Sequence, residues 1–162
     1  MIDDELSAMA AKLIDLLRAK ELKLVTAESC TGGLVAAALT EIPGSSEVFE
    51  RGFITYSNAA KEADLGVPAE IIRRHGAVSA EAARAMAVGA LNASPADLAI
   101  AVTGIAGPDG GSAEKPVGLV HFVAARRGGK TLHREVRFGA IGRAEVRRRS
   151  VIAALALVAE LV

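Results

Sequence analysis

The chain holds a single cysteine, Cys30, so no internal disulfide can form and a disulfide-stapled fold is excluded. It has no tryptophan, one tyrosine and four phenylalanines. Stacking platforms for single-stranded nucleic acid are therefore nearly absent, and the core has to be aliphatic. Charge of one sign is missing too, since nineteen basic side chains balance nineteen acidic ones. That balance supplies no overall field to attract nucleic acid or an anionic membrane. The longest apolar run, Val151 to Ala159, falls far short of the roughly 20 residues needed to cross a bilayer. The acidic start, Met1-Ile2-Asp3-Asp4-Glu5, lacks the basic opening and apolar block of a signal peptide, so a cytoplasmic location is expected. His75, His121 and His133 lie far apart, with no H-x-H or H-E-x-x-H spacing, which argues against a metal site.

What is present suits one domain over residues 1–162, able to bury roughly two-thirds of the surface of its unfolded chain. Leu6, Met9, Leu13, Leu16 and Leu17 recur at steps of three and four, predicting an amphipathic helix over about residues 3–20 that covers one sheet face. The apolar run 22–26 predicts a strand ending near Ala27, followed by a small-residue helix over 33–42. A second strand is expected over 48–56, short helices over 59–65 and 69–75, and a longer helix capped by Ser79 and running to about Leu91. Leu98 to Thr103 is short and continuously apolar, as a central strand buried on both faces should be. Two strands over 117–125 and 131–138 flank the hairpin signature Arg126-Arg127-Gly128-Gly129, and a last helix runs from Gly142 to Val162. This order predicts an α/β fold, a three-layer α/β/α sandwich on a mixed, partly parallel sheet.

Three features fall at strand ends or helix starts. The first is the strand-to-helix turn Ala27-Glu28-Ser29-Cys30-Thr31-Gly32-Gly33, which offers Ser29 as a nucleophile and helix N–H groups, expected to be unpaired, for an anion or oxyanion. The plainer alternative is that Ser29 or Thr31 caps the helix. The second is Tyr56 to Lys61: a lysine in a dry pocket can lose its proton and serve a serine as base, or it can be a solvated helix residue. Tyr56 is either a relay hydroxyl or a strand residue with a wet tip. The third is Thr103 with the loop Gly104 to Ser112, which is neither G-x-G-x-x-G nor a Walker A sequence and suits a phosphate-sized anion or a flexible connection. If the strands are parallel, all three converge beyond their carboxyl ends. Arg143, in the first turn of the last helix, is poorly placed unless it holds an anion; Arg147 to Arg149 are expected on a solvated face. Cys30 reads as structural, with a thiol-based amidase as the weaker alternative.

The segments Ala27–Gly33, Phe49–Phe53, Tyr56-Ser57-Asn58 with Lys61, Gly76–Ser79, Thr103–Gly111 and Lys115–Gly118, in this order, resemble the C-terminal domain of the competence/damage-inducible protein CinA. Stand-alone relatives of that domain are nicotinamide mononucleotide (NMN) deamidases, and the absence here of the CinA N-terminal domain favours that form. The resemblance implies hydrolysis of the NMN carboxamide without metal or cofactor. It implies Ser29 as nucleophile with Lys61 and Tyr56 as catalytic partners, and Thr103 and Arg143 at the substrate site, in a homodimer. Thr31, Gly32, Gly33, Gly104 and Gly107 complete the expected substrate-binding set, through oxyanion donors and the phosphate loop. A non-catalytic nucleotide-binding module on the same fold is the alternative of a different class.

Overall fold

The computed structural model describes residues 2–162. Its elements are α1 (Asp4–Ala19), β1 (Leu24–Glu28), α2 (Leu34–Thr40), β2 (Phe49–Ile54), α3 (Asn58–Leu65), α4 (Ala69–His75), α5 (Ala80–Asn92), β3 (Leu98–Gly104), β4 (Leu119–Arg126), β5 (Thr131–Arg137) and α6 (Arg143–Leu161). The strand order is β2-β1-β3-β4-β5; β1 pairs parallel with β2 and β3, and β4 runs antiparallel to both β3 and β5. The mixed three-layer sandwich expected from the sequence is therefore present. Boundaries move by a few residues, most usefully at β1, which runs on to Glu28 and so ends directly against Ser29.

Strand alternation builds two cores. Leu24, Leu98, Ile100, Val102, Val120, Phe122 and Ala124 face one side, with α1, α2 and α6. Val25, Ala27, Ala99, Ala101, Val123 and Ala125 face the other, with α3, α4 and α5. Helix α1 packs mainly on α6 and α2, so it closes the first layer from outside, and α6 provides much of the direct cover expected of α1.

The second face is lined by small residues, which lets the alanine-rich α5 lie close to β3, β4 and β1. Helix α3 then packs closely on α5: a Cβ placed on Gly89 would stand 1.8 Å from the Leu65 carbonyl oxygen. No side chain fits there, so glycine sets how near α3 approaches α5. Lys61 rides on α3, the helix that makes this contact.

Candidate active site

Beyond the carboxyl ends of β1, β2 and β3 the chain brings Ser29 and Lys61 together from 32 residues apart. Ser29 follows Glu28 on β1, and continued alternation turns its side chain toward the α3 side. Lys61 Nζ lies 3.0 Å from Ser29 Oγ and 2.7 Å from the Thr55 carbonyl oxygen, with a longer contact of 3.4 Å to the Tyr56 carbonyl oxygen. Both side chains are nearly sealed from solvent, Ser29 at 8% exposure and Lys61 at 1%. Burial pulls the Lys61 amine below the usual lysine range, with a smaller opposing contribution from the neighbouring Cys30. The three neighbouring oxygens can take the three N–H groups of an ammonium, and they also accommodate the neutral amine. Carbonyl oxygens accept only, so the two N–H bonds of a neutral amine go to Thr55 and Tyr56, and its lone pair is left for the Ser29 hydroxyl proton.

Ser29 sits in a tight turn. Its N–H donates to Val102 O on β3 (2.9 Å), and its own carbonyl accepts from Gly32 N (3.0 Å). Gly33 ends the turn at φ 96°, a left-handed value that favours glycine, and a Cβ there would also come within 2.9 Å of Ile54 Cδ1. Two expectations change here. Neither Ser29 nor Thr31 caps α2, because Gly33 holds the N-cap position without a side-chain bond, and Ser29 Oγ is taken by Lys61. Nor are the first helix amides free: Leu34 N donates to Thr31 O, while Val35 N and Ala36 N donate to Glu28 Oε1 (2.8 Å) and Oε2 (3.0 Å). Among the described residues, the turn amides that donate to no protein acceptor are those of Cys30, Thr31 and Gly33, whereas that of Gly32 is engaged.

Cys30 is buried, and its thiol is pushed up to about 12, chiefly by loss of solvent. A thiol held that high stays protonated near neutrality, which weighs against the thiol-amidase alternative.

The Tyr56 hydroxyl does not reach Ser29 or Lys61. It is 59% exposed as a residue and accepts from Arg143 Nη2 at 2.8 Å, while Arg143 Nη1 donates to Gly107 O at 2.9 Å. Arg143, at the start of α6, thereby links the β2 end to the loop after β3. A side-chain relay through Tyr56 has no bonded path in this arrangement. Thr103 is buried, and its hydroxyl donates to Ala77 O (2.8 Å), tying β3 to the segment before α5; Gly104 is the last residue of β3.

The expectation of a solvated Arg147 is corrected. Arg147 is half-buried, and its Nη2 donates to Thr31 O at 3.0 Å, on the Ser29 turn itself. Arg148 instead pairs with Asp3, the N-cap of α1, and with Glu5 in its first turn, and Arg149 with Glu145. The available signal was spacing, because residues 143 and 147 stand one helical turn apart and share a face. Glu28 was also missed as a separate contributor. Its signal was a charged residue closing an apolar strand, followed by a helix start, Gly32-Gly33-Leu34, with no capping side chain. Among the described residues no three His, Cys, Asp or Glu side chains gather as a metal site, and no helix is long and apolar enough to cross a membrane.

The description "CinA C-terminal domain" fits residues 6–162. The nicotinamide-nucleotide amidohydrolase PncC of Escherichia coli K12 is 48% identical over 155 residues, 96% of this chain and 93% of that protein. A putative competence-damage inducible protein of Caldicellulosiruptor bescii is 58% identical over 115 residues, and one of Symbiobacterium thermophilum is 61% identical over 113. The matched segments cover 71% and 70% of this chain but 28% and 26% of those proteins, so the chain spans about a quarter of these longer relatives. The crystal structure of the competence/damage inducible protein CihA of Agrobacterium tumefaciens superposes with a TM-score of 0.97 at 52% identity, covering 99% of this chain and 98% of that one. With the same fold along its length and a family match from the first helix to the last residue, the chain belongs to the CinA C-terminal domain family.

Proposed function

We propose that the chain is a nicotinamide-nucleotide amidohydrolase, hydrolysing the carboxamide of NMN to nicotinic acid mononucleotide and ammonia. The observation that carries this reading is the buried Lys61 Nζ, 3.0 Å from Ser29 Oγ, in a chain nearly half identical to a protein named for that activity. In the proposed reaction Ser29 Oγ attacks the carboxamide carbon as its proton passes to neutral Lys61. The tetrahedral oxyanion is held by the free N–H groups of Thr31 and Gly33, while Gly32 fixes the turn by its bond to Ser29. Collapse breaks the C–N bond, and Lys61 returns the proton to the departing ammonia. Lys61 next takes a proton from water, whose oxygen attacks the acyl carbon and releases the carboxylate and Ser29.

Arg143 and Tyr56 form the rim of this site, with Gly104, Gly107 and Thr103 shaping the neighbouring loop. The proposed role of Arg143 and the glycine loop is to hold the 5′-phosphate, so that binding energy gathered there positions the amide at Ser29. Tyr56 is assigned to orient Arg143 through its hydroxyl. No metal or cofactor enters this scheme, and the proposed setting is a cytoplasmic homodimer of one 162-residue domain, without nucleic-acid or membrane partners. The direct test is to incubate the protein with NMN and measure ammonia and nicotinic acid mononucleotide. Binding of NMN without release of ammonia would overturn the enzymatic reading in favour of a nucleotide-binding module.

A further inference from the structure

Glu28 is fully buried at the end of β1, and its carboxylate is the largest buried acidic group in the core. Among the described residues no Lys, Arg or His side chain pairs with it; its two oxygens accept from Val35 N and Ala36 N, the second and third amides of α2. A buried carboxylate held only by neutral donors is a costly way to cap a helix. A Ser or Asp at position 33 would be the ordinary solution, but Gly33 occupies that position in a left-handed conformation. The cap therefore comes from the other side of the turn, seven residues back, and it comes from the residue peptide-bonded to Ser29. This loop of chain, closed by two charge-assisted bonds, contains the proposed nucleophile and the free amides of Cys30, Thr31 and Gly33.

We propose that Glu28 is a positioning residue for the reaction: by clamping α2 to the end of β1 it fixes Ser29 Oγ against Lys61 Nζ and holds the Thr31 and Gly33 amides at the oxyanion. Its carboxylate also occupies Val35 N and Ala36 N, so a substrate anion is kept off these amides and directed to Arg143 and the glycine loop. The inference rests on the reading of Ser29 as nucleophile.

The test is steady-state kinetics on NMN for Glu28→Gln, Glu28→Asp and Ser29→Ala, with thermal unfolding of each. Gln keeps the length but turns an NH₂ donor against one of the two amides; Asp keeps the charge but is too short for both. Misplacement on the order of 1 Å costs about 100-fold, so kcat in both Glu28 variants should fall roughly 10- to 100-fold with KM within about twofold. The pH midpoint of kcat should stay where Lys61 sets it. A merely structural Glu28 would lower the unfolding temperature while the folded molecules kept wild-type kcat, and that result overturns the proposal. Failure of both variants to fold would make Glu28 a folding residue and overturn it as well. An active Ser29→Ala protein removes the nucleophile reading itself, whereas an inactive one beside a fully active Glu28→Gln sinks the Glu28 inference alone.

Discussion

Replacing Lys61 by Met tests the base and its environment in one variant. Methionine keeps the length and apolar stem but has no proton to lose. A positioned general base contributes about 10²- to 10⁴-fold, so kcat/KM for NMN should fall by that factor, equivalent to about 3–5.5 kcal/mol at the transition state. Stability should respond in a pH-dependent way. The native amine titrates below its ordinary value of 10.5 because it is desolvated. Between the lowered native value and 10.5 the unfolded chain holds the extra proton, so wild-type stability rises with pH, with a limiting slope of about 1.4 kcal/mol per pH unit. Below that window the wild type carries the whole cost of a buried ammonium, and above it the cost is gone. Lys61→Met lacks this titration but leaves the buried Thr55 carbonyl without its 2.7 Å partner, a loss of about 1–3 kcal/mol. The stability of Lys61→Met relative to wild type should therefore be most favourable at low pH and should decline as pH rises. Urea unfolding of both proteins at several pH values between about 6 and 10 measures the difference. A difference that stays constant across that range would refute a depressed lysine, whatever the activity of the variant.

Ser29→Ala should abolish ammonia release while the protein stays folded, and Cys30→Ala should remain active; a folded, fully active Ser29→Ala enzyme sinks the serine mechanism. Gly89→Ala, whose new Cβ meets the Leu65 carbonyl at 1.8 Å, should displace α3 or destabilise the protein by about 1–3 kcal/mol, and unchanged melting and turnover would show that α3 does not set the position of Lys61. Arg143→Ala should lower kcat/KM for NMN by about 10- to 150-fold, the worth of one charge-assisted bond; nicotinamide riboside, which lacks the phosphate, should be a poor substrate and lose much less. Equal fractional losses on the two compounds would place the action of Arg143 away from the phosphate.

The elements were legible because each carries a local signal: the three-four spacing of Leu6 to Leu17, the short apolar run 98–103, and the Arg126 to Gly129 turn between β4 and β5. The parallel strands that bring Ser29, Lys61 and Thr103 to one sheet edge could only be conditional, since pairing is a tertiary property. Residue spacing alone left Lys61 divided between base and solvated lysine; the family resemblance favoured the base, and the structure supplies its burial. What escaped was of one kind. Glu28 bonds forward to Val35 and Ala36, Arg147 reaches back to Thr31, and the Tyr56 hydroxyl meets Arg143 across 87 residues. Each is a polar side chain whose partner depends on how layers stack, which strand or helix periodicity does not encode.

One step of strand alternation also separates two requirements that compete in the proposed serine-lysine mechanism. The nucleophile turn must be rigid, which calls for polar bonds, and the base must stay dry, which calls for apolar packing. Glu28 points toward the α2 layer and meets the first requirement with backbone N–H groups. Ser29, one residue on, turns toward α3 and meets the second, where α3 packs closely on α5 at Gly89 and Lys61 is 1% exposed. A charge on the Ser29 side would stabilise the ammonium and remove the base, so the buried carboxylate belongs on the opposite face. The lowered Lys61 amine is in this sense a property of how α3, α5 and β1 pack, and a substitution far from the chemistry at Gly89 should reach it as surely as one beside Ser29.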